Sequence, residues 1–113
     1  MNTLLKKNCI FCSIIEGKIP CDKVYENDYV LVFKDIHPDV KCSEHVLLIP
    51  KIHLSTILDQ ESDEGKRYCS ELIKAIPKVA KALRASDFKC HINTGSKAGQ
   101  VVFHLHLHLK VPK

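Results

Sequence analysis

Phe103-His104-Leu105-His106-Leu107-His108-Leu109 alternates histidine with apolar residues without a break. Successive side chains in a β-strand point to opposite sides of the sheet, so strict alternation reads as a strand. The pattern predicts a strand from Gln100 to Leu109 with three imidazoles on one face. Phe103, Leu105, Leu107 and Leu109 take the other face and anchor it in a core. For any one of these rings, a half-exposed edge strand that happens to contain histidine is the plain reading. Three in register read differently: imidazole has no packing advantage over valine or threonine in a strand, so a row of it suggests proton, phosphate or metal chemistry. Strand geometry argues against one metal held by all three. At about 3.3 Å per residue, the backbones of His104 and His108 are about 13 Å apart. One working imidazole in the middle, with a neighbour on either side to hold a substrate, is the more natural use.

Immediately before the row lies Thr94-Gly95-Ser96-Lys97-Ala98-Gly99, a glycine-punctuated loop whose backbone N–H groups suit an anion. Alone, such a loop only reverses the chain. Beside three imidazoles it is a candidate phosphate cradle, with Asn93 and Gln100 flanking it as further hydrogen-bonding side chains.

Further out, the elements fall in order. Ile10, Phe11, Ile14 and Ile15 form a short helix stopped by Gly17 and Pro20. Lys23–Glu26 and Tyr29–Phe33 form a hairpin around Asn27-Asp28, and Asp35–Glu44 is a loop. His45–Pro50, almost continuously apolar, is a central strand. Tyr68, Leu72, Ile76, Val79 and Leu83 share one face of a helix that starts at Ser62 or Asp63 and ends at Ser86-Asp87. Pro77 lies inside it and is expected to kink or divide it. Phe88–Asn93 is a fourth strand. The fold class is therefore α+β, an antiparallel sheet with one long helix and a short amino-terminal one.

A chain of 113 residues is one domain, 1–113, with a single core. No apolar run approaches the roughly 18 residues of a membrane span. The net charge of +4 comes from lysines spread along the chain, which argues against a nucleic-acid partner. Nothing from Met1 to Cys12 reads as a signal peptide, so the expected location is cytoplasmic and the six cysteines are expected reduced. Cys9-x-x-Cys12 has chelating spacing but supplies only two ligands. Cys21, Cys42, Cys69 and Cys90 have no such spacing and are expected to be buried or half-buried thiols.

His104-Leu105-His106-Leu107-His108-Leu109 resembles the His-φ-His-φ-His-φ-φ signature of the histidine triad (HIT) superfamily, with Lys110 in the last, usually apolar, position. The resemblance extends to Phe33-Lys34-Asp35-Ile36-x-Pro38, to His45-x-Leu47-x-Ile49-Pro50-Lys51-x-His53, and to Asn93-x-Gly95 through Gly99-Gln100. It is closest to the histidine triad nucleotide-binding (HINT-type) branch. The galactose-1-phosphate uridylyltransferase branch carries glutamine where His108 stands.

The resemblance implies a HIT fold, a homodimer and a site for a purine nucleoside monophosphate or its conjugates, such as phosphoramidates. It implies that His106 is a nucleophile forming a nucleotidyl-histidine intermediate, flanked by His104 and His108, with His45 nearby. Asn93, Gly99, Gln100, Val101 and Val102 would hold phosphate oxygens. Asp35 would accept the ribose hydroxyls, while Ile10, Phe11, Ile14, Phe33 and Ile36 would line the base pocket, plain core packing being an equal reading for each apolar residue. It also implies a structural zinc on Cys9, Cys12, His53 and His104. Three departures bear on substrate choice: Val101 replaces a common phosphate-binding hydroxyl, Glu44 replaces a small residue in a slightly longer loop, and the sequence ends at Lys113 without the longer tail of some relatives. Against the hydrolase stands a different class, a non-catalytic nucleotide-binding or zinc-dependent interaction protein that keeps the triad for ligand binding.

Overall fold

The computed structural model describes residues 5–113. Residues 1–4, part of the stretch read as lacking a signal peptide, lie outside the described residues. Five strands, β1 (Lys23–Glu26), β2 (Val30–Lys34), β3 (Cys42–Pro50), β4 (Lys89–His91) and β5 (Leu107–Pro112), form one antiparallel sheet in the order β1-β2-β3-β5-β4. Among the described residues two α-helices join it, α1 (Ile10–Ile15) and α2 (Asp63–Ala82). No described helix is long and apolar enough to cross a membrane.

Alternation along the strands divides the sheet between two apolar layers. Val30, Val32, Val46, Leu48, Leu107 and Leu109 pack with Leu72, Ala75 and Val79 of α2. Leu31, Phe33, Leu47 and Ile49, pointing the other way, pack with Cys9, Phe11 and Cys12 around α1. His108 of β5 faces the α1 side, because Leu107 and Leu109 are committed to α2, and His104 and His106 just ahead of the strand lie against Phe11 on that side.

Five sequence expectations need correcting. Helix α2 runs unbroken through Pro77, which is exposed, so the missing N–H falls on the water-facing side, where the freed Ile73 carbonyl can be solvated. It ends at Leu83, where Arg84 turns into the left-handed region (φ 55°) and the Ala85 N–H closes on the Ala80 carbonyl. The histidine strand is displaced: β5 begins at Leu107 and runs to Pro112, because β3 starts early, at Cys42, and pairs Cys42 with Pro112. Ahead of it the Leu105 N–H bonds the Leu54 carbonyl, outside the ladder, and Phe103 is exposed instead of anchoring a core. Finally, Cys90 is exposed, on β4 at the sheet edge.

Candidate functional site

Register builds the site. Across β3, β5 and β4, Leu47 stands opposite His108 and His108 opposite His91, while one row along His45 stands opposite Lys110 and Lys110 opposite Lys89. The His91 and His108 rings stack nearly parallel, 4.5 Å apart and 7° from coplanar orientation. His106 sits 5.0 Å from His108. On its other side Phe11 presents edge-to-face contacts to His106, His104 and Phe33, with centroids 5.2, 5.8 and 5.6 Å away. His45 contacts His108 rather than the central ring.

Fixed backbone partners decide which nitrogen of each neutral ring carries hydrogen. His106 Nδ1 lies 2.8 Å from its neighbour's carbonyl, that of His104, and must donate to it, so the Nε2 lone pair is free. The Asp39 N–H donates to His45 Nδ1 at 2.9 Å, so the hydrogen of neutral His45 is on Nε2. That nitrogen is 2.9 Å from His108 Nδ1 and 3.5 Å from Asp35 Oδ2. His108 therefore accepts at Nδ1 and carries its own hydrogen on Nε2. Burial, reinforced by neighbouring His106, His91 and His45, pushes His108 down to about 4, and burial lowers His45 and His91 as well. Adjacent rings thus have opposite polarity: a lone pair on His106, an N–H on His108.

Both rings line a cavity of about 380 Å³ between α1, the Asp35–His37 turn and the loop before β5. Its wall includes Ile10, Phe11, Ile14, Phe33, Asp35, Ile36, Asn93, Gly99, Val101 and Val102, every residue expected at the nucleotide except Gln100. Ile36 and Val101 are 83% and 86% exposed, so neither is simply core. Asp35 also takes the His37 N–H on Oδ1, which fixes the carboxylate at the cavity edge. Gln100 is a correction: its carbonyl accepts the Gly95 N–H, and its amide donates to the carbonyls of Ser55 and Val102. Buried and with these bonds made, it braces the glycine loop from behind instead of facing a phosphate. The loop itself is a single 3-10 turn, Ser96–Ala98, between Gly95 (φ 91°) and Gly99 (φ 96°), angles that an L side chain rarely adopts.

The second cluster stands behind Phe11. Cys9, Cys12, His53 and His104 offer ligand atoms that all lie within 4.8 Å of one another and could hold a metal ion. His104 Nδ1 is 3.3 Å from Cys9 Sγ and 3.4 Å from Cys12 Sγ, and His53 Nδ1 is 3.4 Å from Cys12 Sγ. The opposite nitrogens are paired as metal-ligating rings require: His104 Nε2 donates to the Pro50 carbonyl, and His53 Nε2 meets Ser55 Oγ. Each sulfur receives a backbone N–H, from Cys12 and Lys6. Burial pushes the Cys12 thiol up to about 11 and His104 down to about 4; a cation would reverse the first by taking the thiolate. Asp35, His45 and His108 also come within ligand reach of one another. There the Asp39 N–H already occupies His45 Nδ1, so the facing Nε2 holds a hydrogen, and a proton-bearing contact describes that trio better than a metal site.

Sequence reasoning missed His91, Asp39 and Lys110. His91 was legible in principle, since it lies two residues before Asn93 on the strand expected over Phe88–Asn93, although β4 itself ends at His91. Its meeting with His108 depends on a β4–β5 register that the sequence does not specify.

The HIT domain family model matches residues 16–113. Protein hit of Bacillus subtilis is 43% identical over 107 residues, covering 91% of this chain and 70% of that protein. An adenosine 5′-monophosphoramidase of Schizosaccharomyces pombe is 39% identical over 106 residues, covering 94% of this chain and 74% of the relative. A solved histidine triad protein from Clostridium difficile superposes with a TM-score of 0.87 at 38% identity, covering 96% of this chain and 93% of the other. With the family model spanning most of the chain and the fold shared at that identity, the protein is a member of the HIT family.

Proposed function

We propose that this HIT protein hydrolyses purine nucleoside phosphoramidates or related nucleoside monophosphate conjugates through a nucleotidyl intermediate on His106. The observation that carries this reading is the 2.8 Å bond from His106 Nδ1 to the His104 carbonyl, which leaves a lone pair on Nε2 beside the Nε2–H of His108. The former attacks the α-phosphorus and displaces the leaving group; the latter donates to a phosphoryl oxygen as charge builds. Water then cleaves the phosphorus–nitrogen bond and releases the monophosphate. Asp35 takes the ribose hydroxyls, and the apolar cavity wall takes the base. The adenosine monophosphoramidase among the relatives supports the substrate class. Product analysis after incubation with an adenosine phosphoramidate tests it: AMP and free amine are expected, and unchanged substrate would leave the non-catalytic nucleotide-binding reading.

The Cys9, Cys12, His53 and His104 cluster is assigned to a structural zinc. A tetrahedral zinc with bonds of 2.0–2.3 Å sets its sulfur and nitrogen ligands about 3.5 Å apart, close to the 3.3–3.4 Å found here. All four positions would be filled by protein, so the ion would fix α1 and the outer end of the histidine row and supply no reacting group.

Val101 presents a methyl surface at the cavity mouth. Introducing a hydroxyl by Val101→Ser should raise kcat/KM roughly tenfold, the worth of one added hydrogen bond of about 1.4 kcal/mol. Steady-state kinetics showing no gain would mean that the backbone already satisfies that oxygen.

Homodimerisation through the long helix and the sheet edge belongs to the same proposal. Exposed Ile73 on α2 and half-covered Phe88 ahead of edge strand β4 give those elements apolar surface. Analytical ultracentrifugation should find the mass of two chains, and a monomer would remove this part of the reading.

A further inference from the structure

Lys110 ends the apolar alternation of the histidine row with a charge. On β5 it stands between His45 and Lys89, on the site face of the sheet. Two lysines directly opposite repel, and this one is only 17% exposed at its side chain, so the position is costly on its own. Its partner is Asp39: Lys110 Nζ donates to Oδ2 at 3.3 Å. Asp39 Oδ1 meanwhile accepts the Lys41 N–H at 2.9 Å, and the Asp39 carbonyl accepts the Cys42 N–H at 3.0 Å, forming the turn into β3. The same residue's N–H is the donor on His45 Nδ1. One residue therefore receives the lysine through its carboxylate and sets an imidazole through its backbone.

We propose that Lys110 is a positioning residue for His108, acting through Asp39 and His45. By holding Asp39 over β3, it keeps the Asp39 N–H on His45 Nδ1, which keeps hydrogen on His45 Nε2 and leaves His108 as the tautomer carrying its hydrogen on Nε2. Without that N–H, His45 is free to carry hydrogen on Nδ1 and to accept at Nε2. His108 Nδ1 would then donate, and the Nε2 facing the cavity would become a lone pair, repelling a phosphoryl oxygen instead of binding it. An ion pair that serves only stability would leave the tautomer alone. The consequence for catalysis rests on the proposed hydrolysis, but the tautomer does not need a substrate.

The test is ¹⁵N NMR of the full chain labelled at histidine, with the His108 ring signals assigned by their loss in His108→Gln. Wild type should show His108 protonated at Nε2 at neutral pH. Lys110→Met should populate the Nδ1-protonated form, and Lys110→Arg should restore the wild-type pattern. Against an adenosine phosphoramidate, Lys110→Met should lower kcat about tenfold with KM within about twofold, the signature of a lost transition-state hydrogen bond. Should Lys110→Met fail to fold, Asp39→Asn, which keeps the turn and removes the charge, carries the same readouts. A wild-type His108 protonated at Nδ1, or variants with an unchanged tautomer, would overturn the proposal. A shifted tautomer in a protein whose wild type hydrolyses nothing would sustain the positioning role and reject the hydrolase reading.

Discussion

His106→Ala should lower hydrolysis of an adenosine phosphoramidate by at least about 10³-fold, because a covalent route has no substitute for its nucleophile. Binding of AMP should change by no more than about 1–2 kcal/mol, since affinity is spread over the apolar wall, Asp35 and the glycine loop. The separation of the two effects is the informative part. Phe11 packs edge-on against His106 as well as His104 and Phe33, so the alanine leaves a gap beside a ring still held on two sides. A general collapse of the pocket would instead raise the dissociation constant along with the loss of rate. Quenched wild-type enzyme should yield a nucleotidyl adduct on His106 in the mass spectrum. A His106→Ala protein that turns over at the wild-type rate would end the nucleophile assignment.

Much of the arrangement around that histidine could be read from periodicity. Alternation at Leu105-His106-Leu107-His108-Leu109 put the imidazoles and leucines on opposite sides, and Leu105, Leu107 and Leu109 do join the α2 core. The near-continuous His45–Pro50 run did mark the central strand, β3. What escaped was whatever depends on pairing between distant strands or on a local exchange of partners. Alternation gives a face, but only the partner strand gives an end, and so β5 starts and stops later than its pattern. Gln100 reads as a free amide in sequence; only the fold shows that the Ser55 carbonyl, 45 residues away, needs it. Pro77 reads as a break by propensity, yet its exposed position makes the lost hydrogen bond tolerable. His91 and Asp39 lie in no motif and Lys110 stands in one only as a departure from it, so each gains its meaning from register or from a turn. The cysteine pair showed the reverse: its spacing was visible, while the two completing histidines rested on a resemblance before the fold brought all four together.

Replacing Cys9 and Cys12 together with serine should remove about one zinc per chain from protein purified without a histidine tag, as measured by elemental analysis. It should also lower the melting temperature by about 10 °C: a metal present at 100 times its dissociation constant stabilises by about 2.7 kcal/mol, at roughly 4 °C per kcal/mol in a chain of this size. The physical reason lies in α1. Six residues make a helix that cannot hold itself, and of its side chains only Phe11 and Cys12 are buried. Ile10, at 48% exposure, contributes to the cavity instead of a core. Bonds from Cys9 and Cys12 to an ion shared with His53 and His104 would tie this helix to β3's exit and to the start of the histidine row, where their ligand atoms already converge. Activity should therefore fall through positioning, by less than for His106→Ala, as Phe11 loses its fixed place against His104 and His106. Wild-type protein that carries no zinc, yet melts and turns over as it does when zinc is supplied, would refute the site, and Cys9 and Cys12 would then be two buried thiols packed beside Phe33 and Leu47.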